Sequence, residues 1–132
     1  MRTVSGRRIK LFLSDLDGTL LNPFNRLNPD DVAAIRELRN DGIAFTFATG
    51  RSDSMCRCYA EALELDEAIA SYNGAVIREG VAGKRVHVAY MDSDDVRRTL
   101  DFFLKQGIDF LFYDPESIYY QPGSRKIRDC QA

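Results

Sequence analysis

Two carboxylates one residue apart, Asp15 and Asp17, follow an apolar run and precede Gly18-Thr19. A buried carboxylate without a partner is unfavourable, because it loses hydration or must shift its pKa and become neutral. Outside the carboxyl end of a parallel sheet, a carboxylate can act as a nucleophile, carry a proton or bind a hard metal ion. The pair therefore predicts a chemical site. The alternative is a hairpin turn at Asp17-Gly18, because Asp-Gly is a frequent turn sequence.

Hydrophobic periodicity and capping residues predict the elements that position this pair. The apolar run 9–14 predicts a buried strand. Asn28 as an N-cap and Pro29 after it predict a helix over 29–40, and the apolar run 43–48 predicts a second strand. A strand, helix and strand with short connections form a right-handed crossover, so both strands end at the same edge of a parallel sheet.

This edge is expected to collect polar residues from three strands. Thr49 and Arg51 follow the second strand, so the crossover brings them towards the two acids. Ser52 or Asp53 is predicted to cap a second helix that runs to about Leu65, and a third strand over 68–71 follows it. Tyr72-Asn73-Gly74 comes directly after that strand.

The second half of the chain does not continue the alternation of strands and helices. Glycines between the runs 75–78 and 84–88 predict an antiparallel hairpin. A further helix begins at Asp92-Ser93, and two strands follow it. A boundary near Tyr90 is therefore expected. The predicted division is a core over 1–89, a smaller α+β unit over 90–121 and a tail over 122–132.

Composition excludes several classes of protein. The 132 residues are 45% hydrophobic and 29% charged, as in a folded globular domain, with a formal net charge of −2. That charge gives no basic surface for nucleic acid, and no apolar run has the length of a membrane span. We expect neither a nucleic-acid partner nor a membrane partner.

The cysteines and the histidine are not expected to form a site. An odd number of cysteines, three, favours reduced thiols and a cytoplasmic location over a disulfide framework. Cys56 and Cys58 lie on a predicted helix, where residues two apart point to different faces, so shared metal binding is not expected. His87, the only histidine, lies on the predicted hairpin away from the acidic edge.

Three motifs carry a resemblance to a known family. The segment Leu13-Ser14-Asp15-Leu16-Asp17-Gly18-Thr19-Leu20 resembles the first signature of the haloacid dehalogenase-like hydrolases. Ala48-Thr49-Gly50-Arg51 and Tyr72-Asn73-Gly74-Ala75 resemble the Cof-type sugar-phosphatase branch of that superfamily. The resemblance implies an α/β fold, with a Rossmann-like parallel-sheet core, a partial α+β cap and a mobile flap over 18–27.

The resemblance also implies roles for the residues at the sheet edge. Asp15 would be the nucleophile that forms an aspartyl-phosphate, Asp17 the general acid and base, and Thr49 a hydrogen-bond donor to the phosphoryl group. Mg²⁺ would bind the Asp15 side chain and the Asp17 carbonyl. Contacts to a small phosphorylated metabolite such as a sugar phosphate are implied for Gly18, Gly50, Arg51, Asn73 and Gly74. The alternative for the last three is an ordinary role at a helix end or in a turn.

The sequence departs from the family pattern after the predicted cap. Related phosphatases return to the core with a lysine and an acidic motif, whereas Lys105 and Lys126 lie in the predicted cap and tail. We therefore expect an N-terminal half that pairs with itself or with a missing C-terminal half. Its expected function is Mg²⁺-dependent phosphatase activity. The alternative is a catalytically weak or inactive member that acts as an oligomeric or phosphate-binding module.

Overall fold

The computed structural model describes residues 3–4 and 7–127. The chain divides into two compact units, Met1–Ala89 and Tyr90–Ala132. The helices are α1 (Pro29–Asn40), α2 (Asp53–Ala62) and α3 (Ser93–Gln106). The strands are β1 (Thr3–Val4), β2 (Arg7–Arg8), β3 (Leu11–Ser14), β4 (Ala44–Phe47), β5 (Ala68–Ser71), β6 (Val76–Glu79), β7 (Arg85–Val88), β8 (Leu111–Tyr113) and β9 (Ile118–Tyr120).

The first unit is built on a parallel strand pair. Strands β3 and β4 run parallel, in a register from Leu11–Ala44 to Ser14–Phe47. Strand β5 lies beside β4 through a parallel bridge between Ala48 and Ala70. Strands β6 and β7 then continue antiparallel from β5. The predicted crossover is confirmed, and the alternative of an Asp17-Gly18 hairpin is wrong, because β3 pairs with β4 and not with the residues after the turn.

The helices begin where the sequence predicts. The Asn28 side chain accepts a hydrogen bond from the Asp30 amide at 3.1 Å, and α1 covers the predicted residues. Ser52 is the N-cap of α2 and accepts from the Met55 amide at 3.3 Å. Helix α2 ends at Ala62, a few residues before the predicted end. Among the helices of the described ranges, none is long and apolar enough to cross a membrane.

The core of the first unit lies between β4 and the two helices. Phe45 and Phe47 of β4 are 1% and 0% exposed. They belong to one buried cluster with Ile35 and Leu38 of α1 and with Cys56 of α2. This packing holds the carboxyl end of β4 in place against both helices.

Strand β3 is not buried, contrary to the prediction. Its residues Leu11, Phe12 and Leu13 are 52%, 47% and 58% exposed. The physical reason is its position at the edge of the sheet: β4 pairs with one side, and no strand within the described residues pairs with the other. The apolar pattern identified a strand correctly but could not show which of its sides would be covered.

The second unit has a small aromatic core. Helix α3 is capped at its start by Asp92, whose side chain accepts from the Asp94 amide at 2.8 Å. The rings of Phe103, Phe110 and Phe112 lie 5.4–6.4 Å apart, centroid to centroid, between α3 and the β8–β9 hairpin. The predicted helix and two strands are confirmed in this unit.

The beginning of the predicted tail packs against the second unit. Asp109 accepts hydrogen bonds from the amides of Arg125 and Lys126 at 2.9 and 3.3 Å. Ser124 beside them is 6% exposed. A hydrogen bond with the Ser124 side chain is the main cause of the lowered pKa of the Asp109 carboxyl, and the hydrogen bonds from the two amides lower this pKa further. The rest of the predicted tail, from residue 128, lies outside the described residues.

Candidate active site

The two acids, Asp15 and Asp17, flank a buried leucine. Leu16 is 0% exposed, while Asp15 and Asp17 on either side of it are exposed. The Leu16 carbonyl accepts from the amides of Leu20 and Leu21 at 3.0 and 2.9 Å, which turns the chain directly after β3. Gly18 has φ +71°, a conformation that a residue with a side chain adopts only with strain. The turn therefore presents both carboxylates to solvent at the carboxyl end of β3.

Asp15 has the simpler surroundings of the two acids. Its Oδ1 accepts a hydrogen bond from the Leu16 amide at 2.7 Å, and its backbone carbonyl accepts from the Ser14 hydroxyl at 2.9 Å. The Ala48 amide donates to the Ser14 carbonyl at 2.9 Å, so Asp15 and Thr49 each come directly after a paired residue of neighbouring strands. The predicted nucleophile is thus exposed at the end of β3, next to the end of β4.

The Thr49 segment links β4 to the turn after β5. The Thr49 amide donates to the Ala70 carbonyl at 3.0 Å, and the Asn73 amide donates to the Thr49 carbonyl at 2.9 Å. The Thr49 side chain is 4% exposed, and its hydroxyl accepts from the Arg51 amide at 3.2 Å. The structure therefore brings the Thr49 and Asn73 motifs together, as predicted, with the Thr49 hydroxyl already engaged as an acceptor.

Gly50 and Asn73 are in close contact. A Cβ atom at Gly50 would lie 3.1 Å from Asn73 Oδ1, closer than such contacts usually are. Tyr72, Asn73 and Gly74 have φ values of +49°, +55° and +90°, so three successive residues of the turn after β5 have positive φ. The absence of a side chain at Gly50 leaves room for the Asn73 amide.

Arg51 forms an ion pair with Asp17. Its Nε donates to both carboxylate oxygens at 3.1 and 2.9 Å, and its Nη2 donates to Oδ1 at 2.6 Å. The Arg51 side chain is 15% exposed and that of Asp17 is 52% exposed. The Arg51 hydrogen bonds lower the pKa of Asp17, and the carboxylate in turn raises the pKa of Arg51. Asp17 is therefore held in its ionised form.

Two further residues complete the surroundings of Arg51, and the sequence patterns did not indicate either of them. Nη2 of Arg51 donates to the Asn25 side-chain oxygen at 2.6 Å, and Nη1 donates to the Tyr59 hydroxyl at 3.1 Å. The Tyr59 hydroxyl donates to the Asn25 carbonyl at 3.0 Å, and the guanidinium lies 5.4 Å from the centre of the Tyr59 ring. Asn25 belongs to the loop 22–27 and Tyr59 to α2. Arg51 thus joins this loop and α2 to Asp17.

The loop 22–27 has a defined shape of its own. The Asn22 side-chain oxygen accepts from the backbone amides of Phe24 and Arg26 at 2.9 and 3.1 Å. The Asn22 backbone amide donates to the Arg26 carbonyl at 3.0 Å. An open cavity of about 390 Å³ lies between the loop and the acidic turn. It is lined by Asp17, Gly18, Leu21, Asn22, Pro23 and Asn25.

A second ion-pair cluster fixes the start of α2. The Asp53 carboxylate, 5% exposed, accepts from Arg78 Nε at 3.0 Å and from Arg85 Nε at 3.1 Å, and it also contacts Arg78 Nη2. Hydrogen bonds from Arg78 are the main cause of the lowered pKa of Asp53. The cluster ties the helix that follows Arg51 to the β6–β7 hairpin.

The donors at the acidic turn suit part of a magnesium site. Within the described residues, no three His, Cys, Asp or Glu side chains converge as a metal cluster would require. Mg²⁺ commonly binds one or two carboxylates and completes its octahedral shell with water and substrate phosphate. The Asp15 carboxylate and the Asp17 carbonyl are donors of the right kind, whereas the Asp17 side chain is occupied by Arg51.

Comparison with known proteins assigns the family. The sequence model of the haloacid dehalogenase-like hydrolases matches residues 12–131, which is most of the chain. The chain belongs to this family. A solved haloacid dehalogenase-like hydrolase from Bacillus subtilis has a TM-score of 0.79 and 28% sequence identity, over 92% of this chain and 42% of that one. The predicted fold class, a partial Rossmann-like α/β fold of this family, is confirmed.

Curated relatives are named as phosphatases. Phosphatase YwpJ of Bacillus subtilis is 28% identical over 93% of this chain and 43% of its own length. From the same organism, 5-amino-6-(5-phospho-D-ribitylamino)uracil phosphatase YcsE is 39% identical over 52% of this chain and 28% of its own length. The chain spans less than half the length of the curated relatives it matches.

Proposed function

We propose that the acidic turn belongs to a Mg²⁺-dependent phosphomonoesterase that hydrolyses small phosphorylated metabolites through an aspartyl-phosphate. The observation that carries the proposal is the exposed Asp15 at the end of β3, beside the Thr49 segment of the adjacent parallel strand. Phosphoryl transfer needs a nucleophile in line, positive charge around the phosphoryl oxygens and a proton for the leaving group. Residues near this edge offer each of these.

The chain's own residues would act in two steps. An Asp15 oxygen would attack phosphorus, and the substrate alcohol would leave with a proton from Asp17. Asp17 would then take a proton from a water molecule that attacks the phosphorus, which releases phosphate and restores Asp15. Thr49, and the backbone near Gly18 and Gly50, would contact the phosphoryl oxygens. Mg²⁺, when bound by the Asp15 carboxylate and the Asp17 carbonyl, would supply positive charge to those oxygens.

The Arg51 ion pair places a condition on this mechanism. A carboxylate that is paired with a guanidinium holds a proton poorly, so Asp17 can donate one only after Arg51 moves away. A substrate phosphate could accept two hydrogen bonds from the guanidinium N–H groups of Arg51 that now donate to Asp17. Arg51 would then bind substrate together with Asn73 and Gly74, as the sequence resemblance implies.

The substrate is proposed to be a sugar phosphate or a related polyol phosphate. The support comes from YcsE, whose name specifies a phosphorylated ribityl compound.

The unpaired thiols of Cys56 and Cys58 are in keeping with a reducing, cytoplasmic location.

A second candidate is a weak or inactive member that binds phosphate or acts as an oligomeric module. The observation that favours it is the occupation of Asp17 by Arg51, together with the lack of a third acid near the turn among the described residues. Loss of one preorganised group that stabilises transition-state charge costs about 10²–10³ in rate.

Release of phosphate from a panel of sugar phosphates distinguishes the two candidates. Purified chain with Mg²⁺ is compared with Asp15→Asn and with Asp31→Asn, a matched change at a partly buried acid in the first turn of α1. Turnover by the unmodified chain and by Asp31→Asn, but not by Asp15→Asn, supports the phosphatase. If all three are silent while Mg²⁺ or phosphate raises the melting temperature, the binding module is supported.

A further inference from the structure

The backbone of Thr49 is bound to the β5 side of β4. Its amide donates to the Ala70 carbonyl of β5 at 3.0 Å, and its carbonyl accepts from the Asn73 amide at 2.9 Å. Because the carbonyl and the N–H of one trans peptide unit point in opposite directions, the Gly50 N–H points away from β5. Strand β4 lies between β3 and β5, so this N–H faces the side of β3.

Strand β3 leaves the ladder at the level that the Gly50 N–H faces. The Ala48 amide still donates to the Ser14 carbonyl at 2.9 Å. Two residues further along both strands, a continued parallel ladder would pair the Gly50 N–H with the Leu16 carbonyl. That carbonyl accepts instead from amides of the turn that follows it. The Gly50 N–H is therefore directed at the end of β3, where Asp15 lies.

The turn that binds the Thr49 carbonyl has an unusual backbone. Tyr72, Asn73 and Gly74 all have positive φ, which is unfavourable for a residue with a side chain. The amides of Tyr72 and Asn73 donate to the carbonyls of Arg51 and Thr49, both at 2.9 Å. Such strain persists where surrounding contacts fix it, and it is frequent at functional sites. Here the strained turn is bound at two points to the segment that follows β4.

We propose that the turn 72–74 positions the Gly50 N–H to donate to a phosphoryl oxygen at Asp15, and that Asn73 is a positioning residue. This role rests on the proposed function, in which the backbone near Gly50 contacts the phosphoryl group. The Asn73 amide holds the Thr49 carbonyl on the β5 side and so sets the direction of the Gly50 N–H. Asn73 thus acts through the backbone, and the role is separate from any contact between its side chain and substrate.

Substitutions at Asn73 can alter this turn while they keep the backbone N–H. Glycine adopts positive φ readily, and asparagine is among the residues with a side chain that tolerate it best. Alanine is less favourable there, and valine, which is branched at Cβ, is the least favourable of the four. The series Asn73→Gly, Asn73→Ala and Asn73→Val therefore disfavours the turn progressively.

The amide NMR spectrum of the isotope-labelled chain, titrated with inorganic phosphate in the presence of Mg²⁺, tests the role of the turn. The Gly50 amide resonance is expected to shift and to saturate. Asn73→Gly should keep the dissociation constant for phosphate within about threefold, because the turn is retained. Asn73→Val should raise it by about tenfold or more, because a hydrogen bond to a charged group is lost. Asn73→Ala should lie between them, and it replaces Asn73→Val if that variant does not fold.

Glu64 supplies a matched control for backbone strain. It has φ +53° directly after the C-cap of α2, away from the acidic turn. Glu64→Val is expected to lower the melting temperature about as much as Asn73→Val, because both place a branched side chain at positive φ. It should leave the dissociation constant for phosphate unchanged within about twofold, because it does not touch the segment after β4. Circular dichroism establishes that each variant is folded.

Several results would overturn the positioning role. One is a Gly50 resonance that does not respond to phosphate, and another is an Asn73→Val or Asn73→Ala variant that binds phosphate as tightly as the unmodified chain. If Asn73→Gly weakens binding as much as Asn73→Val, the side chain matters and not the turn. If Glu64→Val weakens binding as much as Asn73→Val, the effect follows stability and not position.

Release of phosphate from sugar phosphates by the same samples tests the proposed function separately. Phosphate binding in the expected order of variants, without release from any sugar phosphate, contradicts the phosphatase and supports the positioning role. Release that Asn73→Val leaves unchanged supports the phosphatase and overturns the positioning role.

Discussion

Arg51 and Asp17, 34 residues apart in sequence, form an ion pair in which the guanidinium contacts both carboxylate oxygens. The pair joins the first two sequence motifs of the family. It also occupies the residue that the proposed mechanism needs as an acid. The same guanidinium contacts Asn25 and Tyr59, so the loop 22–27 and the acidic turn share one cation.

The first prediction concerns the hydrogen bonds that link Arg51 and Tyr59 to the loop 22–27. Tyr59→Phe removes one hydroxyl that accepts from Arg51 and donates to the Asn25 carbonyl. We expect it to lower the free energy of unfolding by about 1 kcal/mol and to speed amide exchange in residues 22–27. Hydrogen exchange read by mass spectrometry measures this, with α1 as the internal reference. Equal acceleration in the loop and in α1 would contradict a local role.

The second prediction concerns acid stability. The pKa of Asp53 is lowered in the folded state, so its contribution to stability is present above the unfolded pKa of about 3.9 and is lost as pH falls through the folded value. Asp53→Asn is expected to cost about 3 kcal/mol at pH 7 and to flatten the loss of stability below about pH 4. Urea unfolding at several pH values measures both effects.

Asp66→Asn is the matched control for that prediction. Asp66 pairs with Arg39 at 3.5 Å but is 95% exposed, so its ion pair is screened by solvent. It is expected to change stability by less than about 0.5 kcal/mol. Similar losses for Asp53→Asn and Asp66→Asn at pH 7 would show that burial of the Asp53 cluster is not what stabilises the helix start.

The third prediction concerns the two described thiols. Burial raises the pKa of Cys56 to about 12, while Cys58, two residues away, is exposed. Because the thiolate is the reactive form, iodoacetamide at pH 8 should modify Cys58 and leave Cys56 unmodified in the folded protein. Peptide mass mapping identifies the sites, and both thiols should react in denaturant. Equal modification of Cys56 and Cys58 in the native state would contradict the packing of α2.

The fourth prediction concerns the close approach of Gly50 and Asn73. A methyl group at Gly50 would crowd Asn73 Oδ1, and that side chain can give way by a small rotation. Gly50→Ala is therefore expected to cost about 1 kcal/mol, and less in an Asn73→Ala background. A double-mutant cycle by thermal unfolding measures the coupling. If the losses of unfolding free energy in Gly50→Ala and Asn73→Ala simply add in the double variant, the methyl group at residue 50 does not crowd the Asn73 side chain.

The local sequence was sufficient for the elements and for the edge that carries the site. Asn28 and Ser52 cap helices by accepting from backbone amides two and three residues further on, and Pro29 is the first residue of α1. Short-range chemistry is therefore enough to predict where α1 and α2 begin. The crossover rule then brings Asp15 and Thr49 to one edge, because a right-handed parallel connection leaves little choice of topology.

Three features were decided only by the tertiary structure. Asn25 and Tyr59 surround Arg51, and Arg78 and Arg85 surround Asp53, through contacts between residues 8 to 32 positions apart that no periodic pattern encodes. The exposure of β3 likewise depends on which strands pair with it. The sequence by itself determined the acidic turn, the strands and the family. The partners of Asp17, Arg51 and β3 were decided by folding, because the groups that lie beside a charge or an apolar side chain depend on how distant segments of the chain pack together.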